Sequence, residues 1–227
     1  MSSGLDVLHC DNHLLAVLKP AGLPIVPDDS GDESLLDQAK DWIRSEFSKP
    51  GAVFCGVVHR LDRPVSGVVL FARTSKAAER LGAQFRERLA KKTYWGVVEG
   101  QPEEDGGELE QLLWKDSQRN RVHVVRSERE GAKVARTSWR VRARTGSRAW
   151  LELTPHTGRS HQLRVVCASL GTPLVGDLKY GAPVALSDRS IALHARRLEV
   201  DHPTRHVPVV LEARVPELNV WRATRDT

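Results

Sequence analysis

Apolar positions along the chain follow two periods, and their order sketches the elements. Leu14 to Leu18 is an unbroken apolar run, which predicts a strand over 13–19. Lys19-Pro20-Ala21-Gly22 then turns the chain, with Pro20 setting φ and Gly22 free to make it positive. After a polar loop over 27–33, Ser34 and Asp37 have the spacing of a capping box. Leu35, Leu36, Ala39, Ile43 and Phe47 recur at helical spacing behind it, and Pro50-Gly51 closes the segment. Val57-Val58 and Val68 to Phe71 read as two buried strand ends around a polar turn. Thr74-Ser75 opens a second helix with Ala77, Leu81, Phe85 and Leu89 on its apolar face. Arg86, Arg88, Lys91 and Lys92 fall in its last turns, where positive charge suits the helix dipole.

Residues 92–100 alternate as a strand, with Thr93, Trp95 and Val97 on one face and Tyr94, Gly96 and Val98 on the other. Residues 101–107 form an acidic, glycine-containing loop, and 108–114 fit either a strand or a short helix. Residues 121–126 suit an edge strand or hairpin arm. Trp139, Val141 and Ala143 alternate with Arg140, Arg142 and Arg144, and Thr145-Gly146-Ser147 turns the chain into a return strand over 149–154. This predicts a hairpin with a basic face and few acidic partners. A helix starting at Gly158 or Ser160 would bury Leu163, Val166, Cys167 and Leu170 and end at Gly171, with Arg164 near the edge of that face. Strands follow over 191–200 and 207–213. No regular βαβ alternation appears, which agrees with an α+β class. The expected organisation is one domain over 1–227, in two lobes sharing a sheet, with tails at 1–8 and 217–227.

Charge narrows the partner. Lysine and arginine total 34 against 29 acidic residues, a net charge of +5, and arginine clusters favour a polyanion. No apolar run is long enough to span a membrane, and the N-terminus lacks the pattern of a signal peptide, so a cytoplasmic location is expected. Cys10, Cys55 and Cys167 are far apart, with no C-x-x-C and no H-E-x-x-H. Neither a disulfide framework, a metal site nor a cofactor is expected.

The candidate chemistry lies in Gly56 to Ala72. Asp62 is the one carboxylate in that turn, with Arg60 and Arg63 on either side. The residues alone allow either a presented catalytic group or a solvated turn whose aspartate pairs with Arg60 or Arg63. The stretch HRLDRPVSG resembles the catalytic signature of the RluA-type pseudouridine synthases. Lys-Pro-Ala-Gly, the Lys92-x-Tyr94 strand, T-G-R-S-H-Q-L-R at 157–164, G-D-x-x-Y-G at 176–181 and Leu193-His194-Ala195 resemble further family motifs in the family's order. Val65 stands where the family has threonine, and Val166 where it has histidine.

The resemblance implies a bent, mostly antiparallel mixed sheet with flanking helices and a central catalytic cleft. It implies Asp62 as catalytic nucleophile or base, Tyr94 packed against the target base, and Arg164 as the aspartate's ion-pair partner. Arg60 would help hold the substrate nucleotide out of its helix. His59, Arg63, Ser66, Gly67, Gly158, Arg159, His161 and Gln162 would build the surroundings. The expected partner is structured ribosomal or transfer RNA, held by Arg86, Arg88, Lys91, Lys92, Arg140, Arg142 and Arg144, with the protein acting as a monomer. Lys19 and its turn would be a wall of the cleft with no chemical role. The competing readings are a non-catalytic RNA-binding protein on the same fold, a glycosidase-like hydrolase, which needs two carboxylates, and a metal-dependent nuclease, which needs an acidic cluster.

Overall fold

The computed structural model describes residues 4–224. In chain order the elements are β1 (Asp6–Cys10), β2 (Leu14–Lys19), α1 (Leu35–Glu46), β3 (Gly56–Val57), β4 (Ser66–Ala72), α2 (Ser75–Arg86), β5 (Lys91–Glu99), β6 (Gly106–Asp116), β7 (Arg121–Val125), β8 (Lys133–Thr145), β9 (Arg148–Pro155), α3 (Gln162–Ser169), β10 (Leu193–Asp201) and β11 (Pro208–Glu212). Single 3-10 segments lie at Leu178–Tyr180 and Asn219–Thr224. The architecture is α+β, with largely antiparallel sheet and flanking helices.

The chain divides into two compact units. The first comprises the chain up to Lys91 together with Ala195–Arg214. Its strands run in the order β1-β2-β4-β10-β11, with β3 paired to the far end of β4. Every residue of β4 is buried, which explains why Val68 to Phe71 reads as a continuous apolar run and not an alternating one. Its core joins Leu14, Val68, Leu70, Leu81 and Leu198. The capping box opens α1 as the spacing predicts: the Ser34 hydroxyl accepts from Asp37 N and the Asp37 carboxylate accepts from Ser34 N.

Helix α2 is shorter than its apolar stripe suggests. It ends at Arg86, and Arg88 then takes a left-handed conformation with φ 63°. That residue terminates the helix as a glycine normally would, so Leu89 swings out to 59% exposure and Lys91 and Lys92 begin β5. The expectation that these two lysines belong to the helix end is therefore corrected.

The second unit comprises Lys92–His194 and the chain from Val215 onward. Its strands form an antiparallel sheet in the order β5-β9-β8-β6-β7. The ambiguous stretch at 108–114 is strand, paired to both β7 and β8. Helix α3 packs Val165 among Leu113, Val122, Ala135 and Tyr180. The segments read as tails carry structure where they are described. Residues 6–10 form an edge strand on β2, and Trp221 is buried with Val97, Val175 and Ala192. The outer parts of both expected tails, 1–3 and 225–227, lie outside the described residues.

Candidate active site

In the first unit, the Asp62 turn leaves β3 and returns into β4. Antiparallel pairing of Val57 with Phe71 and of Lys19 with Gly67 holds its two ends. Lys19 does more than wall a cleft. Its side chain is fully buried, and its ammonium donates to Pro20 O at 3.0 Å, Arg63 O at 3.0 Å and Val65 O at 2.7 Å. All three ammonium protons are therefore spent on backbone carbonyls, two of which lie in the turn itself. Burial lowers the Lys19 pKa to about 7, a shift that the nearby Asp62 carboxylate partly offsets. The turn closes through Val65 N to Asp62 O, and Gly22 N donates to Arg63 O at 2.8 Å.

Arg63 points its guanidinium at the preceding loop. It donates to Gly22 O and forms ion pairs with Asp28 and Asp32. Arg60 is exposed and Asp62 is half-buried. His59 braces the turn from below: its Nε2 accepts from Leu70 N at 2.9 Å, and its ring stacks on Phe85 at 4.7 Å. Ser66 is buried at the start of β4. Gly67 has φ +123°, and a Cβ there would lie 2.5 Å from Ala195 N. Only glycine lets β4 approach β10 this closely.

In the second unit, β5 pairs Tyr94 with Leu153, which in turn pairs with Trp139. These three share one face of the sheet. Trp95, Glu152 and Arg140 are paired in the same way and share the opposite face. Gln162 ties the start of the stretch 157–164 to β8: its Oε1 accepts from Arg159 N and from the Thr157 hydroxyl, and its amide donates to Arg136 O and the Thr137 hydroxyl. The Arg159 guanidinium donates to Val134 O. His161, expected inside the helix, sits before it with φ 51°, hydrogen-bonded through Nδ1 to the Tyr180 hydroxyl at 2.6 Å.

Arg164 is 6% exposed and forms a two-pronged ion pair with Asp177, Nε to Oδ2 and Nη2 to Oδ1, both at 2.7 Å. Asp177 is 1% exposed. The sequence reading noted Gly176-Asp177 only as part of a motif and gave it no role. Planar fork geometry of this kind fixes a guanidinium in one orientation.

The basic face expected on the hairpin is not short of acids. Arg140 and Arg142 share Glu152 at 2.8 and 3.8 Å, and Arg144 pairs with Asp105. The cross-strand register brings Glu152 opposite Arg140, a pairing that sequence spacing alone did not reveal. Arg86, Arg88 and Lys91 are exposed, and Lys92 is half-buried. Burial pushes the Cys55 thiol up to about 12 and raises that of Cys167 as well, so neither is poised as a nucleophile. No group of three or more histidine, cysteine or carboxylate side chains among the described residues is placed to hold a metal ion.

The chain matches the family model "RNA pseudouridylate synthase" over residues 13–169. It is 38% identical to the "Dual-specificity RNA pseudouridine synthase RluA" of Haemophilus influenzae, over 88% of this chain and 88% of that protein. It is 36% identical to the "Uncharacterized RNA pseudouridine synthase slr1629" of Synechocystis, over 88% of this chain but 62% of that longer protein. Among solved structures it superposes on "Human RNA Pseudouridylate Synthase Domain Containing 4" with a TM-score of 0.78 at 27% identity, covering 93% of this chain and 89% of the other. With a matching family model, relatives above 30% identity along most of the chain and a shared α+β fold, the chain belongs to the RluA-type family of pseudouridine synthases, enzymes that isomerise uridine in structured RNA.

Proposed function

We propose that this chain converts particular uridines of ribosomal or transfer RNA to pseudouridine, with Asp62 as the catalytic carboxylate. The observation that carries this reading is the construction of the Asp62 turn. Lys19 ties it down through three backbone carbonyls, while Arg63 is committed to Gly22, Asp28 and Asp32. A half-buried carboxylate on so firmly held a turn fits a reactive group that must meet a substrate at fixed distance.

The isomerisation is redox-neutral and needs no co-substrate. The uridine leaves its stack, Asp62 acts as nucleophile or base toward the sugar, and the N1–C1′ bond breaks. The uracil leaves with the bonding pair on N1 and turns, C5 bonds to C1′ as any Asp62–C1′ bond breaks, the C5 proton departs, and N1 takes up a proton. Tyr94 packs against the base, and Arg164, oriented by Asp177, carries the cationic role. Arg60 keeps the nucleotide extruded. The exposed Arg86, Arg88 and Lys91 contact phosphates. Arg140, Arg142 and Arg144 contribute less, because each already has a carboxylate partner. The substrate sets the location, the cytoplasm, and one chain carries every proposed group, so it acts as a monomer.

The test is a pseudouridine map of total RNA with and without the gene. Loss of defined sites in ribosomal or transfer RNA, restored by the wild-type gene and not by Asp62→Asn, is the expected result. Identical maps would refute the reading.

A further inference from the structure

Among the described residues, Lys92 is a half-buried basic residue that the chain leaves without a counter-charge. It precedes Tyr94 by two positions on β5, so the strand period puts both side chains on one face. It is half-buried, and burial alone lowers its pKa. No carboxylate and no hydrogen-bond acceptor among the described residues meets its ammonium. Two other lysines differ. Lys19 spends all three protons on carbonyls, and Lys91 is exposed, 3.9 Å from the Glu199 carboxylate.

The position of the ammonium suggests what is missing. A Cβ placed on Gly158 would lie 4.0 Å from Lys92 Nζ and meet nothing else within that distance. The charge therefore sits against the Thr157-Gly158-Arg159 turn, where Gly158 leaves room and is itself exposed. Gln162 braces that turn, so the setting is rigid. A partly desolvated cation without a partner costs folding free energy. The cost is offset when a ligand brings the anion, and the substrate of this fold is a chain of phosphodiesters.

We propose that Lys92, backed by the Gly158 turn, seats a backbone phosphate of the RNA beside the uridine that Tyr94 packs against. The proposal rests on the RNA reading above and adds a phosphate seat on the Tyr94 face of the sheet. It is a binding and positioning role, separate from bond making at the sugar.

The test compares Lys92→Met, Lys92→Arg and Lys49→Met for binding to a hairpin RNA with uridines in its loop, titrated at several salt concentrations. Lys92→Met keeps most of the apolar stem. It should bind roughly tenfold more weakly, as expected for loss of one charge-assisted contact. Its slope of log affinity against log salt should shrink by about 0.7 to 0.9. Lys92→Arg should keep the slope, and Lys49→Met, at an exposed lysine outside the proposed site, should stay within about twofold of wild type. The melting temperature of Lys92→Met should equal or exceed that of wild type, because an unpaired buried charge is gone. Unchanged affinity and slope in Lys92→Met would overturn the proposal. So would a lowered melting temperature accompanying the binding loss, which would mark the lysine as structural. Wild-type tritium release from 5-tritiated total RNA separates the two claims. No release overturns the enzyme reading, whereas release with an unmoved Lys92→Met overturns the phosphate seat alone.

Discussion

Asp177→Asn is the substitution whose cost the structure defines most closely. Both Asp177 oxygens receive a guanidinium proton from Arg164 at 2.7 Å, and the two side chains are 1% and 6% exposed. Asparagine keeps the shape but presents one acceptor and one donor to a guanidinium that only donates. One bond is lost, a donor faces a donor, and the negative charge disappears. Removing one member of a buried pair costs roughly 3 to 5 kcal/mol, mainly because the other charge is stranded. For a chain of this size, about 2 to 4 °C accompanies each kcal/mol, so the melting temperature should fall by about 6 to 20 °C. Arg164→Met strands the carboxylate instead and should cost a similar amount.

The double variant leaves neither charge stranded at this pair. A denaturant cycle should therefore return a coupling energy of about 2 to 3 kcal/mol between the positions. Turnover adds a second readout, because Asp177 is assigned the orientation of Arg164 and no direct contact with the substrate. In Asp177→Asn, measured below its lowered melting point, kcat should drop by roughly a hundredfold, the scale of a small misplacement in an active site. Its RNA affinity should be nearly unchanged. Additive single costs, or an Asp177→Asn protein as stable and active as wild type, would refute the reasoning.

Three further perturbations bear on other parts of the structure. Gly67→Ala forces a Cβ to within 2.5 Å of Ala195 N and 2.7 Å of Ala195 Cα at a φ of +123°. It should cost about 3 kcal/mol or more from backbone strain and strand separation, against about 1 for Gly146→Ala, which has open space, as read from urea unfolding. Hydrogen bonds from His13 N, Leu14 N and His202 hold the Asp11 carboxyl well below the usual carboxylate range, against the opposing effect of burial. Below about pH 4 the unfolded chain takes up that proton first. Stability present at neutral pH should thus be lost as pH falls, and Asp11→Asn should flatten this acid limb in melting scans. Arg140, Arg142 and Arg144 changed together to glutamine should shift the salt slope of RNA binding less than the same change at Arg86, Arg88 and Lys91. An equal or larger shift would restore the hairpin face as the main phosphate contact.

Much of the fold was legible because local chemistry and burial agree. The apolar run at Leu14 to Leu18, the Ser34–Asp37 box and the hairpin about Gly146 all stand where the residues predict. Disagreements arose where a distant partner or an unusual backbone decided the outcome. Arg88, not a glycine, takes the left-handed residue that ends α2, so the apolar stripe ran on past the true stop. Strand β1 is half-buried throughout, so it lacks the clean alternation that marks a one-sided strand. Lys19 reads only as part of a cleft wall until its acceptors, 44 and 46 residues away, are brought beneath it. The same holds for Glu152 beneath the arginine row and for Asp177 against Arg164. Motif order proposes Asp62, Tyr94 and Arg164 as site residues, but it does not reach Lys19 under the Asp62 turn or Asp177 against Arg164.

The most direct measurement is tritium release from RNA labelled at C5 of uridine, comparing wild type with Asp62→Asn. Release reports loss of the C5 proton, which accompanies formation of the carbon–carbon glycosidic bond. Wild type should release tritium with turnover, while Asp62→Asn should release none yet keep its melting temperature and its affinity for the same RNA. Turnover by Asp62→Asn, or a wild type that binds the RNA and releases no tritium, would contradict the assignment of Asp62 as the catalytic group.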